Sequence, residues 1–466
     1  MGRFEMRAVK IVRAIFPAVG LGILLGLIPA STPYGAIPFY PDCPADPPPP
    51  AGRAALWFPE EPEFALRAGL ELLSRAEYPA AACYLKRVEG TYDADPKFHE
   101  NLGEAYWGAG EKTNALAEWE QALKLNPDAE ELYVRLWTGY IESESWNDAE
   151  RTIERLLQRG GDHPEAEYRL ALIRAARNPG GALELLDGLE SAPAPYAGNA
   201  RILAAAIRAA IARKIPEYIF AKTGQGLLGI GEPRLAEVSL RLAIDRNPKY
   251  GEAFALLGLA QEQAGKDPED SYRRAVALAP DSATACLLYG AWLRRRGDLT
   301  LARWWLTQAW DAQPGDWIIA AELAQVDWFD GNIAEAESWL VRAVEAHPKA
   351  AEAWLALAAF YIENDFHVEY DGIPAARQAV ELAPDDDRAL DMLGWGWFKL
   401  GDFSAAERMF LRALERNPDS ASAHLHLGLC YAEQGRAGEA RAEWEAAMRL
   451  DPDGGAGKRA RELLAG

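Results

Sequence analysis

One hexapeptide in this 466-residue chain has the spacing of a nucleotide-binding loop: Gly224-Gln225-Gly226-Leu227-Leu228-Gly229, a literal GxGxxG. A dinucleotide fold needs a β-strand before such a loop, a helix at its end and an acidic residue about 20 positions on. Here helical patterning precedes the motif, no β-run appears, and Gly231 and Pro233 delay the next helix. The stretch is therefore read as a flexible Gly-rich insertion over 215–233, with Ile219, Phe220, Leu227, Leu228 and Ile230 exposed to a partner or folded back over the chain. Asp365, His367, Glu369 and Asp371 alternate like the donors of a cation loop, against the simpler reading of a solvated polar loop. The histidines, His99, His163, His347, His367, His424 and His426, do not cluster, and the last two point to different faces of a helix. No Ser/His/Asp arrangement, HExxH or P-loop is found. No catalytic residue, metal ligand or cofactor is assigned, and the chain reads as a non-enzyme.

The elements that would hold any site repeat along the chain. Leu393, Gly394, Trp397, Gly401, Ala406, Phe410, Ala413 and Pro418 have the spacing of two short antiparallel helices with a Gly turn between them and a Pro closing the second. Leu427, Gly428, Tyr431, Gly435, Ala440, Trp444, Ala447 and Pro452 follow in the same order, each displaced from its counterpart by the same interval. Closing prolines at Pro248, Pro280, Pro314, Pro348, Pro384, Pro418 and Pro452 keep that interval, slipping short once, before Pro280, and long once, before Pro384. Leu102, Gly103, Tyr106, Gly110, Ala115, Trp119, Ala122 and Pro127 reproduce the same register near the N-terminus. A fixed period of this length is the mark of a helical solenoid, whose units bury their apolar faces only by stacking.

The recurring Leu-Gly, Tyr, Gly, Ala, aromatic, Ala and Pro resemble the tetratricopeptide repeat. The resemblance implies an all-α, right-handed α-solenoid of about eleven antiparallel helix hairpins. Residues 60–195 would hold degenerate N-terminal repeats, 196–250 a repeat carrying the long Gly-rich insertion, 251–454 regular repeats, and 455–466 a capping helix. It also implies that the first helix of each hairpin lines a concave, ligand-binding side. The matching places include Trp107, Leu259, Arg294, Gln325, Trp328, Trp395 and Phe398, with Ile318 and Leu355 among them, and these are the candidate partner-binding residues. The family's Lys/Asn/Arg clamp for a C-terminal carboxylate is missing from these places. Trp304, Trp305 and Trp310 share one second helix and cannot all face one neighbour, so at least one is expected on the surface.

The formal charge of -21 argues against a nucleic-acid partner, which is held by cationic side chains displacing counterions. Cys43, Cys83, Cys286 and Cys430 show no metal-ligand spacing, and the last three, inside expected helices, read as small buried hydrophobes. Arg3, Arg7, Lys10 and Arg13 precede an uncharged apolar run from Ala14, the pattern of a signal peptide or signal anchor over residues 1–30 with its N-terminus in the cytoplasm. A Pro-rich stalk follows over 31–59, where missing backbone donors prevent helix or sheet. The expected protein is thus extracytoplasmic, secreted or membrane-anchored. It is an adaptor or scaffold that binds peptide or helical segments of protein partners in an apolar groove. The alternatives are the recognition arm of an envelope enzyme system, for instance in glycan synthesis or modification, and a small-ligand-binding protein.

Overall fold

Pairs of helices, each 9 to 14 residues long in the regular hairpins, follow one another with turns of a few residues. The computed structural model describes residues 61–193, 195–452 and 454–465, and among these all regular structure is helical. The expected signal or anchor (1–30) and the Pro-rich stalk (31–59) lie outside the described residues. Among the described residues no helix is long and apolar enough to cross a membrane.

The chain divides into two units, Met1–Ala205 and Ala206–Gly466. The first holds α1 (Pro62–Ser74), α2 (Tyr78–Lys86), the single turn α3 (Glu89–Tyr92), α4 (Pro96–Gly108), α5 (Lys112–Leu125), α6 (Glu130–Glu142), α7 (Trp146–Leu157), α8 (Pro164–Arg177) and α9 (Leu183–Gly188). The unit boundary falls inside α10 (Tyr196–Ile211). The second unit continues with α11 (Pro216–Gly229), α12 (Pro233–Arg246), α13 (Gly251–Gln263), α14 (Glu269–Leu278), α15 (Ala283–Arg295), α16 (Leu299–Ala312), α17 (Trp317–Phe329) and α18 (Ile333–Ala346). It ends with α19 (Ala351–Glu363), α20 (Ile373–Leu382), α21 (Asp387–Lys399), α22 (Phe403–Arg416), α23 (Ala421–Glu433), α24 (Ala437–Leu450) and the capping helix α25 (Gly455–Ala465). Each unit is a stack of antiparallel hairpins, eleven in all among the described residues.

The hairpin is built on one close approach. Gly394 of α21 has no side chain because Phe410 of α22 occupies its place: an added Cβ would lie 2.6 Å from the ring. The same contact, at the same chain separation, joins Gly103 to Trp119, Gly290 to Leu306 and Gly428 to Trp444. Gly258 meets Tyr272, which is nearer in the chain because the second helix of this hairpin, α14, is only 10 residues long against 14 in α22. Most of the hairpin turns also carry a left-handed residue. Gly401 supplies it between α21 and α22 with φ 79°. Ala76 (φ 59°) and Glu144 (φ 57°) take that conformation in N-terminal hairpins that lack the glycine, so the geometry persists where its sequence signature has faded.

The 215–233 stretch is not an insertion loop. Its core is the helix α11, which packs on α12 as the first helix of a regular hairpin. Gly224 approaches Leu240 at the chain separation of Gly394 and Phe410, and an added Cβ would lie 2.6 Å from the leucine Cγ. Leu227 is fully buried, Phe220 and Leu228 are nearly so, and Ile219 and Ile230 are half-buried. The helix expected to pair with α12, beginning near Tyr196, is instead the separate α10. The extra length of the repeat that closes at Pro384 is absorbed by a π-turn over Val368–Gly372 ahead of α20.

A second recurring contact was not visible in residue types. The residue three places before the repeat position that Leu393 holds donates to the carbonyl six residues back, and four different side chains do so. Tyr133 Oη bonds Pro127 O (3.3 Å), Cys286 Sγ bonds Pro280 O (3.2 Å), Trp354 Nε1 bonds Pro348 O (2.9 Å) and His424 Nε2 bonds Pro418 O (3.0 Å). In α4, His99 Nε2 does the same to Asp93 O at 3.0 Å. Both histidines also present Nδ1 to a carboxylate of the paired helix, His99 to Glu118 at 2.7 Å and His424 to Glu443 at 2.5 Å. A carbonyl and a carboxylate are both acceptors, so each ring makes both bonds only as imidazolium, with two N–H donors.

Burial by itself would lower the pKa of His99, which is 4% exposed, but the Glu118 carboxylate and Asp93 carbonyl hold it above its ordinary value. For His424 the Glu443 hydrogen bond dominates, and it too is raised. A raised folded-state pKa contributes stability that is complete below the unfolded value, about 6.5, and is lost as pH rises through the folded value. Thermal melts between pH 5.5 and 8.5 should therefore show a midpoint falling on the order of a few degrees on the alkaline side. His99→Gln with His424→Gln should flatten that dependence, and an equal slope in the double variant rejects the imidazolium assignment.

Cys286 and Cys430 are free and fully buried, as expected of small apolar side chains. Cys83 departs from that reading: it is half-buried and disulfide-bonded.

Candidate functional site

The first helices of the second unit present a row of partly exposed apolar side chains, because heptad-like spacing leaves a stripe that neither the hairpin partner nor the next hairpin fully covers. Ile318 on α17 is 44% exposed, and Phe329 at the end of the same helix is 63% exposed. Leu287 on α15, Leu355 on α19, Phe398 on α21 and Leu429 on α23 are half-buried. The second helices seal the opposite flank through their buried alanines, Ala309, Ala343, Ala379 and Ala413.

The candidate residues separate within this frame. Trp107 lies in the first unit, half-buried against Trp119 (ring centroids 5.3 Å), with Lys112 Nζ 4.9 Å from its ring. It also fills the space left by Gly139 of α6, so its ring is an inter-hairpin spacer. Arg294 forks onto Glu322 of the next first helix, Nε to Oε2 at 2.7 Å and Nη2 to Oε1 at 3.4 Å. Trp328 stands edge-on to Phe360 of the next hairpin (5.5 Å, 88°) and to Phe366 (6.1 Å). Leu259 and Gln325 are half-buried on α13 and α17. Among the candidates, Trp395 and Phe398 are brought together.

They form a near-parallel stack that the sequence did not disclose. The Trp395 ring lies 4.8 Å from Phe398 at an interplanar angle of 9°, and 4.5 Å from His426 at 15°. His426 Nδ1 is 2.8 Å from Asp391 Oδ1, and Asp391 is buried, so the imidazole is oriented from the preceding first helix. Lys399 Nζ sits 5.4 Å from the Trp395 ring and 2.9 Å from Asp365 Oδ2. Glu363 ends α19 in the same neighbourhood. Burial raises its carboxyl above the usual range, while the charges of His426 and Lys399 oppose that rise. His426 is thus a member of the stack, and Glu363 a charged neighbour of it, that sequence reasoning did not single out. The available signal was positional: Glu363 and Lys399 occupy the same place in successive repeats, one residue after Ile362 and Phe398.

The alternating acids of the enlarged loop do not gather. Asp365 pairs with Lys399, His367 Nδ1 with Asp371 at 3.1 Å, and no group of metal-ligating side chains occurs among the described residues. Of the three tryptophans on α16, Trp305 packs on Tyr289 (5.6 Å) and Trp310 on Trp339 (5.5 Å). Trp304 is 51% exposed.

Two sequence models, both described as the tetratricopeptide repeat, match this chain, one over residues 322–365 and 392–455 and the other over 96–129. This is a tetratricopeptide repeat protein. The matched segments contain the Gly103, Gly394 and Gly428 contacts that build the hairpins. The tetratricopeptide array is similar in sequence to the protein O-mannosyl-transferase TMTC1 of mouse, 28% identical over 148 residues, or 30% of this chain and 15% of that protein. To the human TMTC1 it is 27% identical over 210 residues, or 43% of this chain and 23% of that protein. The chain thus spans under a quarter of the length of these relatives. Among solved structures it is similar to yeast Tom70, with TM-score 0.47 and 16% identity over 88% of this chain and 96% of that one. It is also similar to a tetratricopeptide repeat protein of Parabacteroides merdae, with TM-score 0.43 and 16% identity over 54% of this chain and 98% of that one.

Proposed function

We propose that this tetratricopeptide repeat protein is an extracytoplasmic adaptor whose first-helix face in the second unit binds a peptide or helical segment of a partner protein. The observation that carries the reading is the row of Leu287, Ile318, Leu355, Phe398 and Leu429, partly exposed on successive first helices and held in place by a sealed second-helix flank. A partner helix with apolar residues at i, i+3 and i+4 suits such a row, since amphipathic helices bind by laying one face into an apolar groove. The disulfide at Cys83 supports an oxidising compartment, as does the basic-then-apolar N-terminal sequence.

Ile318→Asp combined with Leu355→Asp is expected to abolish capture of the partner from an extracytoplasmic fraction while the helical melt stays within a few degrees of wild type. Unchanged capture rejects the face, and recovery of the chain only from the cytosolic fraction rejects the compartment.

A second reading rests on the sequence likeness to the O-mannosyl-transferase TMTC1. In it the array is the recognition arm of a glycan-modifying system, with the chemistry on another chain or segment. Capture of a glycosyltransferase by the wild type and not by the double variant favours it over a purely structural scaffold.

A further inference from the structure

His99 sits where the first and second hairpins of the first unit join, and its two hydrogen bonds reach different elements. Nδ1 is 2.7 Å from Glu118 Oε2 on α5, and Nε2 is 3.0 Å from the carbonyl of Asp93, in the connector between the single turn α3 and α4. In α23 the matching ring, His424, bonds the carbonyl of a closing proline, Pro418. The connector at α3 has less to hold it. No side chain of α3 is buried and none caps its start. Its ties are backbone bonds such as Tyr92 N to Val88 O (3.3 Å) and Asp95 N to Tyr92 O (2.9 Å), the Tyr92 ring stacked 5.6 Å from Phe98, and the His99 bond. As imidazolium the ring satisfies both acceptors. With one proton lost it keeps a single N–H, for which the two acceptors compete. Glu118 is the charged acceptor and the nearer one, so it retains the hydrogen, and the Nε2 lone pair is left facing the Asp93 carbonyl oxygen. The ring, 4% exposed, has no water to turn to, whereas Asp93 lies at the surface. The connector is therefore the part that yields.

We infer that His99 is a proton-operated clamp on the α3–α4 connector, closed while the ring carries both protons and open once it carries one, which sets how firmly the first hairpin is tied to the rest of the first unit. With the clamp open, α1 and α2 are held mainly by the apolar cluster in which Tyr84 and Leu85 of α2 meet Phe98 and Leu102 of α4. The charged groups that act on the ring are Glu118 of α5 and Asp93 of the connector. Others on the surrounding elements are engaged elsewhere or at the surface. Asp95 accepts from Lys97 N at the start of α4 (2.9 Å), the Lys97 side chain pairs with Glu100, Glu63 pairs with Arg67 and Glu71 with Arg75 along α1, and Lys86 of α2 is exposed. The Tyr106 phenol, which also feels Glu118 and Glu89 of α3, is pushed up to about 12 by burial and those carboxylates and stays neutral in this range. Burial opposes the charge on His99, but the Glu118 hydrogen bond and the Asp93 contacts outweigh it and raise its pKa above the ordinary 6.5. Stability from a raised pKa is complete below the unfolded value and is lost as pH rises through the folded one, so the clamp opens on the alkaline side. It lies in the first unit and operates with or without a partner on the second.

The test is hydrogen exchange on the full chain, read by mass over 88–95 across a series from pH 5.5 to 8.5, with each rate expressed against its intrinsic value at that pH. Wild-type protection there should fall about tenfold through the series, as expected when a charge-assisted hydrogen bond is lost, while α5 stays protected. In His99→Gln, which has no proton to lose, protection over 88–95 should be the same throughout. Glu118→Gln removes the charge that holds the proton and should move the step to lower pH. A helical melt at pH 5.5 verifies the fold of each variant. Wild-type protection that does not change with pH, or a step that persists in folded His99→Gln, overturns the clamp. Where His99→Gln does not fold, a step that Glu118→Gln leaves at the wild-type pH overturns it instead.

Discussion

Phe410→Ala is expected to destabilise the second unit by about 3–5 kcal/mol, the range for emptying a buried aromatic site. Phe410 is fully buried, and its ring fills the space that Gly394 leaves within the hairpin. It also joins Leu427, Cys430, Tyr431 and Ala440 of the following hairpin in one apolar cluster and lies 5.7 Å from the His426 ring. One truncation therefore loosens two hairpins and the support of the Trp395 stack. Neither neighbour can collapse into the space without breaking the glycine contact. The measurement is a denaturant titration with hydrogen exchange read over 387–450, where protection should fall in α21, α22 and α23 together. Loss of protection confined to α22, or a midpoint equal to wild type, contradicts the packing.

Gly224→Leu is expected to cost about 3 kcal/mol, at the upper end for overpacking. The Cβ alone would lie 2.6 Å from Leu240 Cγ and 3.3 Å from the Ala236 carbonyl oxygen. The backbone cannot yield there, since α11 and α12 meet at that point. In an exposed Gly-rich loop the same substitution would be nearly silent, so the experiment separates the two structures for this stretch. Gly229→Leu is the matched control: it ends the helix with nothing within 4 Å of an added Cβ and should leave the midpoint almost unchanged. Equal, small effects at both positions reject the helical hairpin.

The misreading of 215–233 shows how much was available and why it was passed over. Gly224, Leu227, Gly231, Ala236, Leu240, Ala243 and Pro248 carry the repeat register, with Thr223 where Leu393 stands in the later repeat. Three glycines in GxGxxG spacing, with Gly231 and Pro233 after them, suggested a loop instead. Pro216 and Pro233 in fact occupy first turns, where a missing N–H costs nothing. Gly224 serves the close approach, and burial of Leu227 compensates the poor helix propensity of Gly226 and Gly229. The candidate site was legible to a lesser degree. Trp395 and Phe398 stood out by type, but nothing local marks His426, in the following repeat, as the third ring of their stack, or Glu363, in the preceding repeat, as a charged neighbour of it.

The sequence by itself determined the hairpin, its period and its closing turns. These depend on contacts between the two helices of one hairpin, such as Gly394 with Phe410, and such contacts leave the same residue types at the same spacing each time. Only the tertiary structure decided which aromatic rings pack singly against the next hairpin, as Trp107 and Trp328 do, and which gather into one stack, as Trp395 and Phe398 do. That outcome depends on how one hairpin rotates on the next, which brings together side chains from neighbouring repeats whose types no periodicity constrains.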